Sequence, residues 1–178
     1  MEELQEAFEE YRQEWLASRT RGCLLDYIGD VLTPEQICGI TKIVAIGLGA
    51  LTNPKRSANP LSDIRALVQH AAVRNIADLL KRHNGGREVE CYAQDPENDQ
   101  DVIVHFLRTI GITPLSDPKA LLEIDENTFV VSVSPNIPVR QIVCDIARPR
   151  VMIWNIVKKE EDKEWRQELI HGELMWVS

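Results

Sequence analysis

The sequence lacks several features that would assign the protein to a class at once. No apolar run approaches the roughly 20 residues of a membrane-spanning helix, and the N-terminus lacks the basic start and apolar segment of a signal peptide. The 20 basic residues are outnumbered by 28 acidic ones and are scattered, so no broad face is predicted to neutralise nucleic-acid phosphates. These absences predict a cytoplasmic or nuclear protein that binds neither membranes nor nucleic acids.

Cysteine is scarce and dispersed. The four cysteines, Cys23, Cys38, Cys91 and Cys144, form no C-x-x-C pair, and no histidine stands at zinc-binding spacing from them. In a reducing compartment we expect four thiols, with Cys91 and Cys144 acting as small core residues. The nucleophile elbow G-x-S-x-G is also absent. The sequence therefore predicts no metal site and leaves catalysis unassigned.

The composition, with 44% apolar and 27% charged residues in 178, is that of one globular domain. At its start, Leu4, Phe8, Tyr11 and Trp15 follow helical spacing and predict an amphipathic helix with an apolar stripe. The stripe either packs on the parent domain or meets a dimer partner or another protein. We predict an N-terminal helical extension over residues 1–32, packed on a domain formed by residues 33–178.

Short apolar segments alternate with helical patterns in the remaining chain. The predicted strands are residues 42–46, 88–92, 112–115, 129–133 and 151–154, and the predicted helices between them are residues 60–83, 99–110 and 139–147. Alternation of this kind predicts a three-layer α/β sandwich: a Rossmann-like, mostly parallel five-stranded sheet with helices on both faces. A final surface helix is predicted over residues 158–171, and residues 173–177 form either an edge strand or a cap on the core.

Ligands of open parallel sheets bind at the carboxyl ends of the strands, which makes Gly47 and Gly49 candidates for a phosphate-binding turn. The dinucleotide fingerprint is incomplete, because Thr52 stands where a third glycine belongs, and a tight backbone corner is an equal alternative. Arg56 lies in the loop that follows and joins the candidate ligand-binding residues. Asp95, at the end of the second strand, either accepts hydrogen bonds from ribose hydroxyls or caps the next turn.

The turn Ser134-Pro135-Asn136 follows the fourth strand, and its proline restricts the backbone. Such rigidity suits ligand contact by all three residues, and it equally suits a plain strand-to-helix connection. The histidines His70 and His105 are predicted to be packed or surface residues rather than catalytic bases.

The segments GLGAL, VQHAA, CYAQDP, FLRTIGI, FVVSVSPNIPVRQI and VMIWN, in this order, resemble the "sensitivity to red light reduced" (SRR-like) family over about residues 36 to 156. Gln69, Asp95 with Pro96, and Pro135 with Asn136 match the family pattern. The Met-Pro-His-Cys turn of better-known members is replaced by a Ser-Pro-Asn turn, which resembles a fungal branch. The resemblance implies a Rossmann-like domain linked to light signalling and clock regulation, without a settled activity.

Three hypotheses about function follow. The first is a regulatory or accessory domain whose crevice binds a nucleotide-like small molecule. The second is a group transferase that uses an adenosine-containing cofactor such as S-adenosylmethionine, with Ser134 and Asn136 orienting the acceptor. The third is a non-catalytic interaction module that engages a protein partner, or a second copy of the chain, through the N-terminal helix.

Overall fold

The computed structural model of the protein describes residues 1–98, 100–133, 135, 137–155, 166–170 and 173–177. Side chains are described for these residues except Arg56 and those beyond residue 155. None of the helices in this part of the chain combines the length and the apolarity needed to cross a bilayer.

The described elements alternate between helix and strand after an all-helical start. The α-helices are α1 (Glu2–Ala17), α2 (Arg19–Val31), α3 (Pro34–Cys38), α4 (Pro60–His83), α5 (Asp101–Thr109), α6 (Lys119–Leu122) and α7 (Val139–Ile146). The strands are β1 (Lys42–Ile46), β2 (Glu90–Gln94), β3 (Thr113–Pro114), β4 (Thr128–Val131), β5 (Val151–Ile153), β6 (Arg166–Ile170) and β7 (Glu173–Val177).

Five strands form one parallel sheet in the order β3-β2-β1-β4-β5. The chain moves outward from β1 to β3 and then returns to place β4 on the other side of β1, so its direction of winding reverses between β1 and β4. This topology confirms the predicted parallel α/β fold. It places the carboxyl ends of all five strands at one edge, with the switch point between β1 and β4.

The sheet is covered on both faces, as strand β1 shows. Ile43 and Ala45 belong to one core cluster, which includes buried residues of α1, α4 and α5. Val44 and Ile46 belong to a second cluster, built with α6 and α7. Alternate side chains of a strand point to opposite faces, so a continuous apolar run is what a strand buried on both sides requires.

Helix α1 packs on the core of its own chain. Leu4, Phe8 and Trp15 are buried, and the Phe8 ring meets the Phe106 ring edge to face at a centroid distance of 5.4 Å. The apolar stripe is therefore covered within the chain. The division into an extension (residues 1–32) and a domain (residues 33–178) stays a prediction.

Several sequence expectations differ from the structure. Residues 166–170 form a strand paired antiparallel with residues 173–177, so the final helix predicted over residues 158–171 is wrong for this segment. Residues 156–165 lie outside the described range. Pairing between the two segments supplies backbone hydrogen bonds that the weak helical pattern around Leu169 did not reveal. Strand β2 begins and ends two residues later than predicted, and β4 ends two residues earlier than predicted. Cys144 is exposed rather than buried, because the inward face of α7 is formed by Val139 and Val143.

Candidate functional site

Three of the predicted site turns meet at the carboxyl edge of the sheet. The Gly47 backbone N–H donates to the Gln94 carbonyl at 3.0 Å, and the Gly49 N–H donates to the Asp95 carboxylate at 2.8 Å. A Cβ atom placed on Gly47 would lie 3.0 Å from the Pro135 Cβ atom. The structure thus brings together Gly47, Gly49, Asp95 and Pro135, from the ends of β1, β2 and β4.

The two glycines have backbone conformations that other residues rarely adopt. Their φ angles are +68° at Gly47 and +89° at Gly49. A Cβ atom on Gly49 would also lie 3.2 Å from the Cβ atom of Ala66 on α4, closer than ordinary packing allows. Glycine is required here for a tight corner and for close packing, which gives both residues a structural reason independent of any ligand.

Asp95 fastens the loop after β1 to the turn after β2. One carboxylate oxygen accepts from the Gly49 N–H and the other accepts from the Glu97 N–H at 3.0 Å. Asn98 adds two more hydrogen bonds: its side-chain oxygen accepts from the Leu51 N–H at 2.9 Å, and its amide donates to the Gly49 carbonyl at 3.1 Å. Together Asp95 and Asn98 form a clamp on the loop after β1. Sequence reasoning missed Asn98. Asn98 is only 5% exposed, but nothing in the sequence distinguishes it from the other polar residues of the segment 95–101.

A cleft of about 430 Å³ opens beside this clamp, between the ends of β2 and β3 and helix α5. Its polar rim includes the carboxylates of Asp95 and Asp117, and apolar walls come from Leu107, Pro114 and Leu115. The buried Gln94 sets the rim, because its amide donates to Asp117 at 2.8 Å and its oxygen accepts from the Ala120 N–H at 3.0 Å. The sequence pattern does not predict the pairing of Gln94 with Asp117, since it joins β2 to the loop before α6.

A second cleft, of about 230 Å³, lies across the switch point between α7 and the ends of β4 and β5. Its lining includes Pro135, Arg140 and Trp154. The guanidinium carbon of Arg140 lies 5.6 Å from the centroid of the Trp154 ring, at cation–π distance. Gly47 and Pro135 approach each other at the switch point between β1 and β4. The first cleft lies on the β2 and β3 side of this point, and the second lies on the β4 and β5 side.

Helix α4 carries buried polar atoms beneath the loop after β1. His70 is fully buried, and its Nδ1 atom lies 2.7 Å from the Ala66 carbonyl, so Nδ1–H donates and Nε2 is an acceptor. Among the described residues, no hydrogen-bond partner reaches His70 Nε2, Asp63 Oδ2 or Gln69 Oε1. Burial lowers the pKa of His70 to about 4, opposed by the Ala66 carbonyl and by the charge of Asp95. His70 is therefore a neutral, packed residue, which is one of the two environments, packed or surface, that the sequence predicted for it.

The remaining sequence candidates are placed as follows. Arg56 ends a short 3₁₀ turn, Pro54–Arg56, and its side chain lies outside the described structure. Ser134 and Asn136 lie outside the described residues, so their predicted ligand contacts stay predictions.

The structure supplies no evident nucleophile or metal centre in the part of the chain it describes. Burial raises the pKa of the Cys91 thiol, against the effect of the nearby Arg74, which donates to its sulfur at 3.3 Å. No group of three or more His, Cys, Asp or Glu side chains among the described residues is arranged to hold a metal ion.

Comparison with known proteins identifies a family. The family model described as the SRR1 domain matches residues 4–173, which is nearly the whole chain and includes most of α1. No curated protein matches the chain significantly, and no solved structure does.

Proposed function

The chain belongs to the SRR1 domain family, and on that premise we propose that it is a regulatory or accessory domain that binds a nucleotide-like small molecule. The site is the cleft between β2, β3 and α5. The observation that carries this proposal is the position of Asp95, at the carboxyl end of the strand next to β1 and on the rim of that cleft. A carboxylate at this position of a Rossmann-like sheet suits the hydroxyl groups of a ribose.

The shape of the cleft fits an adenosine group better than a phosphate. Apolar walls from Leu107, Pro114 and Leu115 suit the faces of a base, and Asp117 at the far rim can accept from an exocyclic amine. The glycine turn is less suited to phosphate, because helix α4 begins only at Pro60, well after Gly49. The proposed ligand is therefore held through its nucleoside.

The hydrogen bonds that Asp95 already makes are compatible with this role. Each carboxylate oxygen accepts one backbone N–H, and an ionised carboxylate has about four lone-pair positions. The clamp also fixes the orientation of the carboxylate, so little side-chain entropy is lost when a ribose binds.

Thermal shift and calorimetry with adenosine, guanosine and S-adenosylhomocysteine test the proposal. A ligand at 100 times its dissociation constant adds about 2.7 kcal/mol to the free energy of unfolding, which raises the melting temperature measurably. Ser116→Trp, an exposed position on the rim, should abolish adenosine binding by filling the cleft. Gln141→Trp, an exposed position lining the second cleft, should leave it unchanged. Adenosine binding that survives Ser116→Trp would refute the assignment of this cleft.

A second candidate function is a group transferase that uses S-adenosylmethionine. It is supported by the two clefts on either side of the β1–β4 switch point, since one can hold the adenosine group and the other an acceptor. The distinguishing measurement is selectivity: a transferase should bind S-adenosylhomocysteine at least about tenfold more tightly than adenosine, because the amino-acid tail contributes contacts. Equal affinities would favour the regulatory proposal.

The interaction-module hypothesis has less support. The apolar residues Leu4, Phe8 and Trp15 of α1 are buried against the chain's own core and offer no apolar stripe to a partner. A dimer or partner complex through α1 would have to use its acidic outer face. A cytoplasmic or nuclear location remains part of the proposal.

A further inference from the structure

The second cleft contains a cation that the rest of the described structure does not neutralise. Arg140, in the first turn of α7, stacks near the Trp154 ring and makes no ion pair or side-chain hydrogen bond with any described residue. A cation–π contact leaves the N–H groups of a guanidinium available to acceptors, because the attraction acts through the ring face. Arg140 is therefore held beside the Trp154 ring, and no residue in the described part of the chain occupies its side-chain donors.

The surroundings of Arg140 suit an anion with an apolar body. Trp154 is 37% exposed and Ile137 is 45% exposed, so both present apolar surface at the cleft. Pro135, Val139 and Met152 supply further apolar wall. A ligand with a flat hydrocarbon body would cover these surfaces and remove them from water.

The backbone adds to the positive potential. The first turn of α7 lines the cleft, and its N-cap residue, Pro138, provides no side-chain cap for the helix amides. The partial positive charge of a helix N-terminus favours a negative group within about one turn. Arg140 and the helix end thus act in the same direction, on the same small cavity of about 230 Å³.

We propose that this cleft is a binding site for a small planar carboxylate, with Arg140 pairing with the carboxylate and Trp154 forming an apolar wall. Arginine and carboxylate form paired, charge-assisted hydrogen bonds. These bonds favour a carboxylate over a neutral molecule of the same shape. The site is separate from the proposed nucleoside cleft and does not depend on it.

Benzoate and benzamide are the matched probes, because they share a flat ring and differ in charge. Titrations of the full-length protein are followed by the indole N–H signals in NMR, with Trp154→Phe identifying the Trp154 signal. We expect benzoate to shift the Trp154 signal and to bind at least about tenfold more tightly than benzamide, the factor expected from one charge-assisted pair. Equal affinities for the two probes, or no shift of the Trp154 signal, would overturn the proposal.

Arg140→Gln identifies the cation. It should reduce benzoate affinity about tenfold and remove the preference over benzamide, while Arg108→Gln should change neither. Arg108 is a suitable control because it is an exposed arginine on α5, outside this cleft, without a described side-chain partner. An unchanged preference in folded Arg140→Gln would contradict the assignment. Adenosine binding, measured in the same samples, reports separately on the first cleft.

Discussion

The imidazole of His70 couples the stability of the fold to pH. It is fully buried, and burial lowers its pKa from 6.5 to about 4. The folded protein therefore holds this group neutral, whereas the unfolded chain binds a proton on it below about pH 6.5. Because the unfolded state binds more protons in this range, stability is retained above about pH 6.5 and is lost as the pH falls towards 4.

We predict that His70→Leu removes this dependence. Because of the difference between the two pKa values, His70 should lower the unfolding free energy of the wild type by about 2 kcal/mol when the pH falls from about 7.5 to about 5. Urea unfolding at both pH values measures it, and the difference between wild type and variant cancels the titration of the carboxylates. Identical pH dependence in both proteins would show that His70 does not titrate on unfolding.

Gly49 provides a test of close packing at the turn. Gly49→Ala should destabilise the protein by about 2–3 kcal/mol. Alanine is strained at a φ of +89°, and its Cβ atom would lie 3.2 Å from the Ala66 Cβ atom. Gly86→Ala is the matched control, since Gly86 has nearly the same φ, +87°, and nothing within 4 Å of the added carbon. It should cost about 1 kcal/mol, from the strained backbone alone. Equal losses in denaturant unfolding would mean that the turn yields to the extra carbon.

Helix α1 offers a prediction at the scale of one element. Phe8→Ala should lower the free energy of unfolding by about 3–4 kcal/mol, because the ring is 5% exposed and packs on Phe106. Tyr27→Ala on α2 is the control: this aromatic residue is 66% exposed and should cost less than about 0.5 kcal/mol. If Phe8→Ala cost no more than Tyr27→Ala in urea unfolding, α1 would be only loosely attached.

Local signals located most elements, and they failed where pairing partners decided the outcome. Helix α4 runs from Pro60 to His83 as predicted, because proline suits the first turn and a long apolar face follows it. The residues of β6 predict part of a helix, because the pattern of a single segment does not show that it pairs with the following segment, β7. Elements that take their hydrogen bonds from another segment are the harder ones to predict.

At the scale of the whole molecule, the core predicts cooperative unfolding. One cluster contains buried residues of α1, α4, α5 and the three strands β1, β2 and β4, so loosening any of them exposes the others. We expect unfolding transitions measured by helical circular dichroism and by hydrogen exchange of α1 and β1 amides to coincide, as in a two-state domain. Exchange of α1 at much lower denaturant than β1 would instead support a separable extension over residues 1–32.

The sequence by itself determined the order and type of the main elements, because the period of apolar residues is a property of each segment alone. It also determined that Gly47, Gly49, Asp95 and Pro135 would approach one another, since parallel strands end at one edge. Only the tertiary structure decided that Asp95 and Asn98 clamp the glycine loop, that Gln94 holds Asp117, and that Arg140 lies over Trp154. These contacts join residues far apart in the chain, and their geometry depends on how the layers pack.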